Sequence, residues 1–196
     1  MFTFSNLVFS YRERLFEGYS DSISEPRIGI VGINGSGKTT LLRLIDGQLL
    51  PQAGYVETHG STYLVDFNLR RYRSFTVEDL ITLCRPLRSF DVSRSDRLAS
   101  MLHMDEYRRI PIGELSKGMT KKVSLLLGLM STADVLLIDE PFESIDAESN
   151  ANLLQLLNEE RRGLVIVSHD LTLLEQAVDA VYSVQNRRLE RRCLAS

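Results

Sequence analysis

The sequence predicts an α/β fold with a mainly parallel core sheet, an N-terminal antiparallel β subdomain and an inserted helical subdomain. Two short, continuous apolar runs, VLLI (135–138) and LVIV (164–167), are typical of parallel strands that helices cover on both faces. The first residues of the chain alternate between apolar and polar types, as in a half-buried antiparallel sheet. Between residues 75 and 109, apolar side chains recur at three- and four-residue steps, which favours helices.

The predicted elements alternate between strands and helices, which indicates that helices connect the parallel strands. In order, they are antiparallel strands around Phe2, Phe4 and 7–9, a strand at 27–31, a helix at 39–48 that ends near Gly47, strands within 49–60 and at 62–65, helices at 77–84 and 97–107, a strand at 135–138, an amphipathic helix at 151–162 and a strand at 164–167. We therefore expect a single domain spanning 1–196, in which residues 1–66 and 132–196 form the core and residues 67–131 form the helical subdomain.

The composition is that of an ordinary soluble globular protein, with 43% hydrophobic and 25% charged residues. The net charge of −3 gives no reason to expect nucleic acid as a partner. The segment NRRLERR (186–192) is locally basic, and is either a solvated tail or a contact for acidic lipid headgroups or an acidic partner. No run approaches the roughly 18 apolar residues of a membrane span, and the N-terminus has no signal-peptide pattern. We therefore expect a chain that does not cross a bilayer unaided.

The two cysteines, Cys84 and Cys193, lie far apart in the sequence and lack the spacing of metal ligands. We expect both to be reduced thiols in a cytosolic protein. The last four residues, CLAS, match a prenylation box, but patterns this short also match by chance.

A glycine-rich segment joins the predicted strand 27–31 to the helix that follows it. Residues 32–39, GINGSGKT, fit the pattern G-x-x-x-x-G-K-[ST] in the strand-to-helix context that this pattern requires. Its glycines let backbone N–H groups surround phosphate oxygens, and the helix N-terminus adds positive potential. Lys38 would reach the β- and γ-phosphates of a nucleotide, and the Thr39 hydroxyl would bind Mg²⁺. The residues that we assign to this phosphate loop and nucleotide site are Asn34, Gly35, Ser36, Gly37, Lys38, Thr39 and Thr40.

Acidic side chains and a histidine follow two of the predicted buried strands. Asp139 and Glu140 end the run VLLIDE, and His169 follows LVIVS. In open parallel sheets, ligands bind beyond the carboxyl ends of the strands. There Asp139 can hold Mg²⁺, Glu140 can orient and deprotonate an attacking water, and a neutral His169 can hydrogen-bond that water and the γ-phosphate. Taken alone, the acidic pair could cap the next helix and the histidine could be structural, but beside a phosphate loop we favour the catalytic roles.

A third polar segment, ELSKGMTKKV (114–123), precedes the apolar run SLLLGLM. Its residues suit both the capped start of a buried helix and an anion-binding loop. The two readings are compatible, because the backbone N–H groups at a helix N-terminus lack intrahelical partners and can bind anions.

These segments, in this order, resemble the nucleotide-binding subunit of ATP-binding-cassette (ABC) transporters over essentially the whole chain. GINGSGKTTLLR resembles the phosphate loop of that family, ELSKGM its signature loop (most often LSGGQ) and VLLIDEP its magnesium and base strand. ESID (143–146) resembles the loop that crosses the dimer interface, and SHD (168–170) resembles the histidine switch. The resemblance implies an ABC-type phosphate-loop NTPase fold, with ATP and Mg²⁺ as cofactors.

The resemblance also implies that one chain carries only part of each site. In the family, two subunits face head to tail and enclose two ATP molecules, and each signature loop contacts the γ-phosphate held by the other subunit. Carried over to this sequence, Ser116 and Gly118 bind the ATP of the second subunit, and Asp146 couples the two sites. Tyr11 stands where the family places an aromatic residue that stacks on adenine, although a strand residue that fills the sheet is the alternative.

Two positions depart from the family pattern. Where the family has a glutamine that contacts Mg²⁺ and the attacking water, this sequence offers Asp66, with Asn68 two residues on. Asp66 can bind Mg²⁺ but adds negative charge near the γ-phosphate, whereas Asn68 is the better chemical substitute if the loop shifts. In LSKGM, Lys117 adds a cation beside the triphosphate and Met119 replaces a polar residue. This variant resembles exporter ATPases of the drug, antibiotic and polysaccharide type.

The motif set favours the ATPase subunit of a membrane transporter, and more specifically of an exporter. We expect a homodimer, or a dimer with a close paralogue, that is cytoplasmic and bound through permease subunits to the inner face of the membrane. The alternative is a soluble ABC ATPase that acts as a mechanical switch in cofactor assembly, repair or translation. A phosphate-loop kinase or GTPase is disfavoured, because no N-K-x-D guanine-reading motif occurs in the sequence.

Overall fold

A computed structural model describes residues 1–192. Cys193 and the CLAS pattern, with the thiol and prenylation interpretations attached to them, lie outside the described residues. The chain divides into two compact units. Unit 1 consists of Met1–Leu64, Asp134–Glu140 and the chain from Arg161 onward, and unit 2 consists of Val65–Ala133 and Pro141–Glu160.

Strands and helices alternate along the described chain, as the apolar pattern predicts. In chain order, they are β1 (Phe2–Ser10), β2 (Arg14–Ile23), β3 (Arg27–Val31), α1 (Lys38–Ile45), β4 (Ala53–Thr58), β5 (Thr62–Leu64), α2 (Val77–Cys84), α3 (Ser95–Met101), α4 (Lys117–Met130), β6 (Val135–Asp139), α5 (Ala147–Glu159), β7 (Gly163–Val167), α6 (Leu171–Ala177), β8 (Ala180–Gln185) and β9 (Arg188–Arg191). None of the helices within residues 1–192 combines the length and the apolar character that spanning a membrane requires.

The N-terminal strands form a three-stranded antiparallel sheet in the order β2-β1-β4. Phe2, Phe4, Leu7 and Phe9 of β1 are buried in the core, while polar neighbours on the same strand remain partly accessible. The alternating pattern of the sequence therefore predicted this antiparallel region correctly, since successive side chains of a strand point to opposite faces.

The second sheet of unit 1 has six strands in the order β5-β6-β7-β3-β8-β9. All of its pairs are parallel except β8 with β9, which confirms the mainly parallel core. The side chains of β6 and β7 are almost entirely buried, as continuous apolar runs predict for strands covered on both faces. Because β6, β7 and β3 are adjacent and parallel, the segments that follow them emerge at one edge of the sheet.

Unit 2 contains helices α2 to α5. A reciprocal capping box starts α2, in which the Asp79 N–H donates to Thr76 Oγ1 and the Thr76 N–H donates to Asp79 Oδ2. Cys84, at the end of α2, is a buried free thiol whose pKa is raised by burial. Helix α3 ends at Met101, before the end predicted at 107, because His103 adopts a left-handed φ of 54° that the helix cannot continue through.

Candidate functional site

The phosphate loop, residues 32–39, connects β3 to the first turn of α1. Gly35 and Gly37 adopt φ values of 81° and 102°, a left-handed region that residues with a Cβ atom rarely enter. Gly37 occupies the N-cap position of α1, and no side chain caps this helix. The first N–H groups of α1 are therefore left for an external acceptor, and an anion suits them best.

Two side chains of the phosphate loop favour a bound anion. Lys38 is 8% exposed, and its Nζ donates to the carbonyl oxygens of Gly32 at 2.8 Å and Ile33 at 3.1 Å. Ser36 Oγ is buried and has no hydrogen-bond partner among the described residues. A buried hydroxyl without a partner is uncommon in folded proteins, so this one fits a loop built to receive ligand oxygens. Of the other residues assigned here, Asn34 is exposed and Thr40 is buried.

Thr39 and Asp139 meet at the carboxyl edge of the sheet. Thr39 Oγ1, in the first turn of α1, donates to Asp139 Oδ2 at the end of β6 across 2.5 Å. A hydroxyl and a carboxylate are hard oxygen donors, the type that Mg²⁺ prefers. Within residues 1–192, no group of three or more His, Cys, Asp or Glu side chains is arranged to hold a metal ion by itself. A magnesium ion here would therefore complete its shell with phosphate oxygens and water.

Glu140 and His169 form a second pair at the same edge. The His169 N–H donates to Glu140 Oε2 at 3.0 Å, and His169 Nε2 lies 3.1 Å from Glu140 Oε1. Strands β6 and β7 are paired in parallel, so the residues that directly follow them are brought side by side. The sequence predicted that both residues follow core strands, and the structure adds that they are in direct contact.

The surroundings of Glu140 alter its pKa and its backbone. Burial raises the pKa of this carboxyl, and the charge of Asp139 raises it further. The His169 N–H, the His169 charge and the Lys38 charge act in the opposite direction without cancelling the effect of burial. Glu140 also adopts a φ of 52°, which is costly for a residue with a side chain and is found mainly where the surrounding structure enforces it.

Tyr11 lies just beyond the end of β1 and is 60% exposed. Its ring contacts that of Phe9 edge to face, with the centroids 5.1 Å apart. Phe9 is buried in the sheet, so this contact holds the exposed Tyr11 ring beside the end of β1. Stacking of Tyr11 on adenine stays a prediction.

Ser116 and Gly118, in unit 2, form the N-terminus of α4. Ser116 is the N-cap, and its Oγ accepts a hydrogen bond from the Met119 N–H at 3.2 Å. Gly118 packs so closely on the loop after β6 that an added Cβ atom would lie 2.5 Å from the carbonyl oxygen of Ser144. The helix-cap role considered for ELSKGMTKKV is therefore present in the structure, and the anion-binding role of this segment stays a prediction.

Asp146 is the N-cap of α5 and accepts a hydrogen bond from the Ser149 N–H at 2.8 Å. Its other carboxylate oxygen lies 2.8 Å from Nζ of Lys122 on α4. Lys122 and its neighbour Lys121 are buried. The sequence did not single out these two lysines for a role, because consecutive lysines near a helix start usually indicate a solvated surface.

Asp66 and Asn68 lie in unit 2, in the segment that follows β5. Asp66 is exposed, and its Oδ1 accepts a hydrogen bond from the Asn68 N–H at 2.8 Å. The Asn68 side chain accepts from the Arg70 N–H and thereby caps a short helical turn, Leu69–Tyr72. Asn68 is therefore occupied by a local role, whereas Asp66 keeps one carboxylate oxygen without a partner in the described chain.

The described structure thus groups the candidate residues in two sets. Unit 1 brings Lys38, Thr39, Asp139, Glu140 and His169 to one sheet edge, and unit 2 brings Ser116, Gly118 and Asp146 to neighbouring helix N-termini. Each set is built from residues that lie far apart in the sequence.

Several known proteins have sequences related to that of this chain. The ABC transporter family matches residues 23–143 of this chain. An uncharacterized ABC transporter ATP-binding protein of Methanocaldococcus jannaschii is 31% identical over 174 residues, which cover 85% of this chain and 64% of that protein. The zinc uptake system ATP-binding protein ZurA of Listeria innocua is 29% identical over 184 residues, which cover 81% of this chain and 72% of that protein. The chain spans only 32% and 33% of the length of two further curated relatives.

A solved structure of the ATP-binding subunit of an ABC transporter has the same fold. It superposes with a TM-score of 0.86 at 20% identity, and the match covers 99% of this chain and 90% of that one. The family match spans more than half of this chain and includes the phosphate loop, the start of α4 and the acidic pair. The chain therefore belongs to the ABC transporter family, in which it is an ABC ATPase domain.

Proposed function

We propose that this chain is the ATP-hydrolysing subunit of an ABC membrane transporter, and that its two units act together as one ATPase domain. The observation that carries the proposal is the arrangement at the carboxyl edge of the parallel sheet. There the phosphate loop, the Thr39–Asp139 pair and the Glu140–His169 pair are assembled from adjacent strands. A purely structural carboxylate would need neither the burial nor the left-handed backbone of Glu140.

ATP would be held mainly through its phosphates. The uncapped start of α1, the Lys38 ammonium and the buried Ser36 hydroxyl supply donors for phosphate oxygens. Asn34, Gly35, Gly37 and Thr40 complete the loop, and Tyr11 would stack on the adenine ring. Thr39, Asp139 and Asp66 would hold Mg²⁺, which supplies positive charge that offsets the charge of the phosphates.

Hydrolysis would use Glu140 as general base. Its carboxylate accepts a proton from a water molecule as the water oxygen attacks the γ-phosphorus and the bond to ADP breaks. Lys38 would stabilise the negative charge that develops on the phosphate oxygens. Direct contact with Glu140 supports a role for His169 in orienting this carboxylate. The His169 ring would also hydrogen-bond the attacking water and the γ-phosphate.

A second subunit would complete each site. The N-terminus of α4, with Ser116 and Gly118, offers backbone donors to the γ-phosphate held by the facing chain, and Lys117 is exposed beside them. Asp146 would couple the two sites across the interface. The second subunit is another copy of this chain or a close paralogue.

Permease subunits would bind the dimer and place it at the inner, cytoplasmic face of the cell membrane. The LSKGM form of the signature segment favours an exporter. The relative ZurA, named as part of a zinc uptake system, makes import the competing direction. When this chain is isolated from its native membranes, a multi-span membrane protein should co-purify with it. If no such protein co-purifies, the alternative of a soluble ABC ATPase that acts as a mechanical switch is favoured.

The catalytic proposal is tested by replacing Glu140. Glu140→Gln should bind ATP with unchanged affinity but lower the rate of ATP hydrolysis about a hundredfold or more, because the amide cannot accept the proton of water. ATP binding can be followed by calorimetry and hydrolysis by phosphate release. Glu175→Gln, at an exposed position on α6, serves as the control and should hydrolyse ATP normally. Normal turnover in Glu140→Gln would remove this residue as the base.

A further inference from the structure

Two buried lysines near the start of α4 have no part in the ATPase mechanism described above. Lys121 and Lys122 are 8% and 7% exposed. Burying an ammonium group is unfavourable unless its donors find partners, and apolar residues of similar size often stabilise a fold better. The partners of these two lysines therefore indicate what their charges do.

Lys122 bonds to Asp146. Its Nζ lies 2.8 Å from Asp146 Oδ2, and the exposed fraction of the lysine side chain is 9%. Lys122 is the main cause of a lowered Asp146 pKa, and the Ser149 N–H lowers this pKa further. The same carboxylate thus caps α5 with one oxygen and bonds to α4 with the other.

Lys121 reaches the other end of the same loop. Its Nζ donates to the carbonyl oxygen of Glu143 at 2.7 Å and lies 5.1 Å from the centre of the Phe67 ring. A backbone carbonyl as acceptor fixes the path of the main chain rather than one side chain. Lys121 and Lys122 therefore hold the first and last residues of the segment 143–146, which we call the interface loop.

The middle of the interface loop rests on the signature segment itself. Ser144 adopts a left-handed φ of 62°, and its carbonyl oxygen occupies the space that a Cβ atom on Gly118 would need. Three contacts, from Gly118, Lys121 and Lys122, thus join the first two turns of α4 to the interface loop.

We propose that Lys121 and Lys122 are positioning residues that hold the interface loop on the N-terminus of α4, so that Ser116, Gly118 and Asp146 face the second subunit as one preformed surface. The inference rests on the proposed head-to-tail dimer. In this arrangement the signature segment and the interface loop engage the facing chain together. Without the lysine contacts, the signature segment and the interface loop would have to become ordered when the two chains associate. The conformational entropy lost in that ordering would weaken the dimer.

The test measures ATP-dependent dimerisation in a Glu140→Gln background, where ATP is bound but not consumed. Adding Lys122→Met should weaken the MgATP-dependent dimer about tenfold in sedimentation experiments, the order of energy found for coupled residues in contact. ATP affinity measured at chain concentrations below dimerisation should remain within about twofold, because the phosphate loop is unchanged. Lys122→Arg should restore most of the dimer affinity, since it keeps a buried cation that can reach Asp146.

Lys121→Met should also weaken the dimer, and Arg97→Met is the matched control. Arg97 forms an exposed ion pair with Glu159 in the same unit, away from the interface loop, so its removal should leave dimerisation unchanged. Thermal melting of every variant separates a loss of positioning from a loss of folding.

The outcomes separate this inference from the proposed function. If Glu140→Gln alone forms no dimer with MgATP, the proposed dimer of two copies of this chain fails, and the positioning role within that dimer fails with it. If it dimerises and Lys122→Met dimerises equally well, the positioning role is wrong. Dimer affinity that falls in proportion to thermal stability, without rescue by Lys122→Arg, would also overturn the role, since the lysine would then only support the fold.

Discussion

Glu140 combines a strained backbone conformation, a raised pKa and direct contact with His169 in one residue. It follows an almost entirely buried strand, adopts a left-handed φ of 52° and contacts His169 through both the backbone and the ring of the histidine. Its position after a core strand was predictable from the sequence, because continuous apolar runs mark such strands. Its strained backbone and raised pKa were not, since both depend on neighbours that are distant in the sequence.

The raised pKa of Glu140 predicts a pH-dependent stability effect. Because burial favours the protonated carboxyl in the folded state, the stability associated with this group is present at low pH and is lost as pH rises through the folded pKa. Glu140→Gln, which is neutral at every pH, should therefore raise the unfolding free energy at about pH 8 and change it little at about pH 4. Urea unfolding at both pH values measures the difference, with Glu175→Gln as control. An equal change at both pH values would contradict the raised pKa.

Asp66 should contribute to the magnesium site. Asp66→Ala should raise the Mg²⁺ concentration needed for half-maximal ATP hydrolysis about tenfold, a typical effect of losing an oxygen that supports a metal site. Asp105→Ala removes another exposed carboxylate of unit 2 and should leave the Mg²⁺ requirement unchanged. An unaltered requirement in Asp66→Ala would show that this carboxylate does not bind the metal.

At the scale of elements, the strands were more predictable than the ends and contacts of the helices. The apolar run VLLI lies within β6, and LVIV within β7. Helix α3, in contrast, ends six residues before the predicted end because His103 turns left-handed, which the apolar pattern does not encode. The burial of Lys121 and Lys122 on α4 was likewise not predictable, because their partners Glu143 and Asp146 belong to a segment distant in the sequence.

Packing between β3 and α6 gives a prediction for the core of unit 1. A Cβ atom on Gly29 would lie 2.8 to 3.0 Å from the side-chain carbons of Leu174, which is fully buried. Gly29→Ala should therefore lower the unfolding free energy by about 1–3 kcal/mol, the usual effect of overpacking a core. Combining it with Leu174→Val, which shortens the opposing side chain, should recover part of the loss. An unchanged unfolding free energy in Gly29→Ala would contradict this prediction, because it would mean that α6 can shift away from β3 without loss of stability.

At the scale of the whole molecule, the candidate residues form two sets whose chemistry is complementary. The set in unit 1 offers a phosphate loop, oxygen donors for Mg²⁺ and a candidate general base. The set in unit 2 offers the N-terminus of α4 and the interface loop, whose Asp146 caps α5. The proposed dimer gives each set the part that it lacks from a second chain. The order of the motifs in the sequence was sufficient to suggest this division, but the lysine contacts that hold the second set together required the structure.

The central claim, that ATP is bound between two chains, is tested most directly by the mass of Glu140→Gln in solution with MgATP. Sedimentation should give twice the 22.3 kDa of one chain with ATP and a single chain without it. The double variant Glu140→Gln, Ser116→Arg should still bind ATP but remain a single chain, because the arginine blocks the start of α4. A mass of 22.3 kDa for Glu140→Gln at saturating MgATP would contradict the binding of ATP between two copies of this chain.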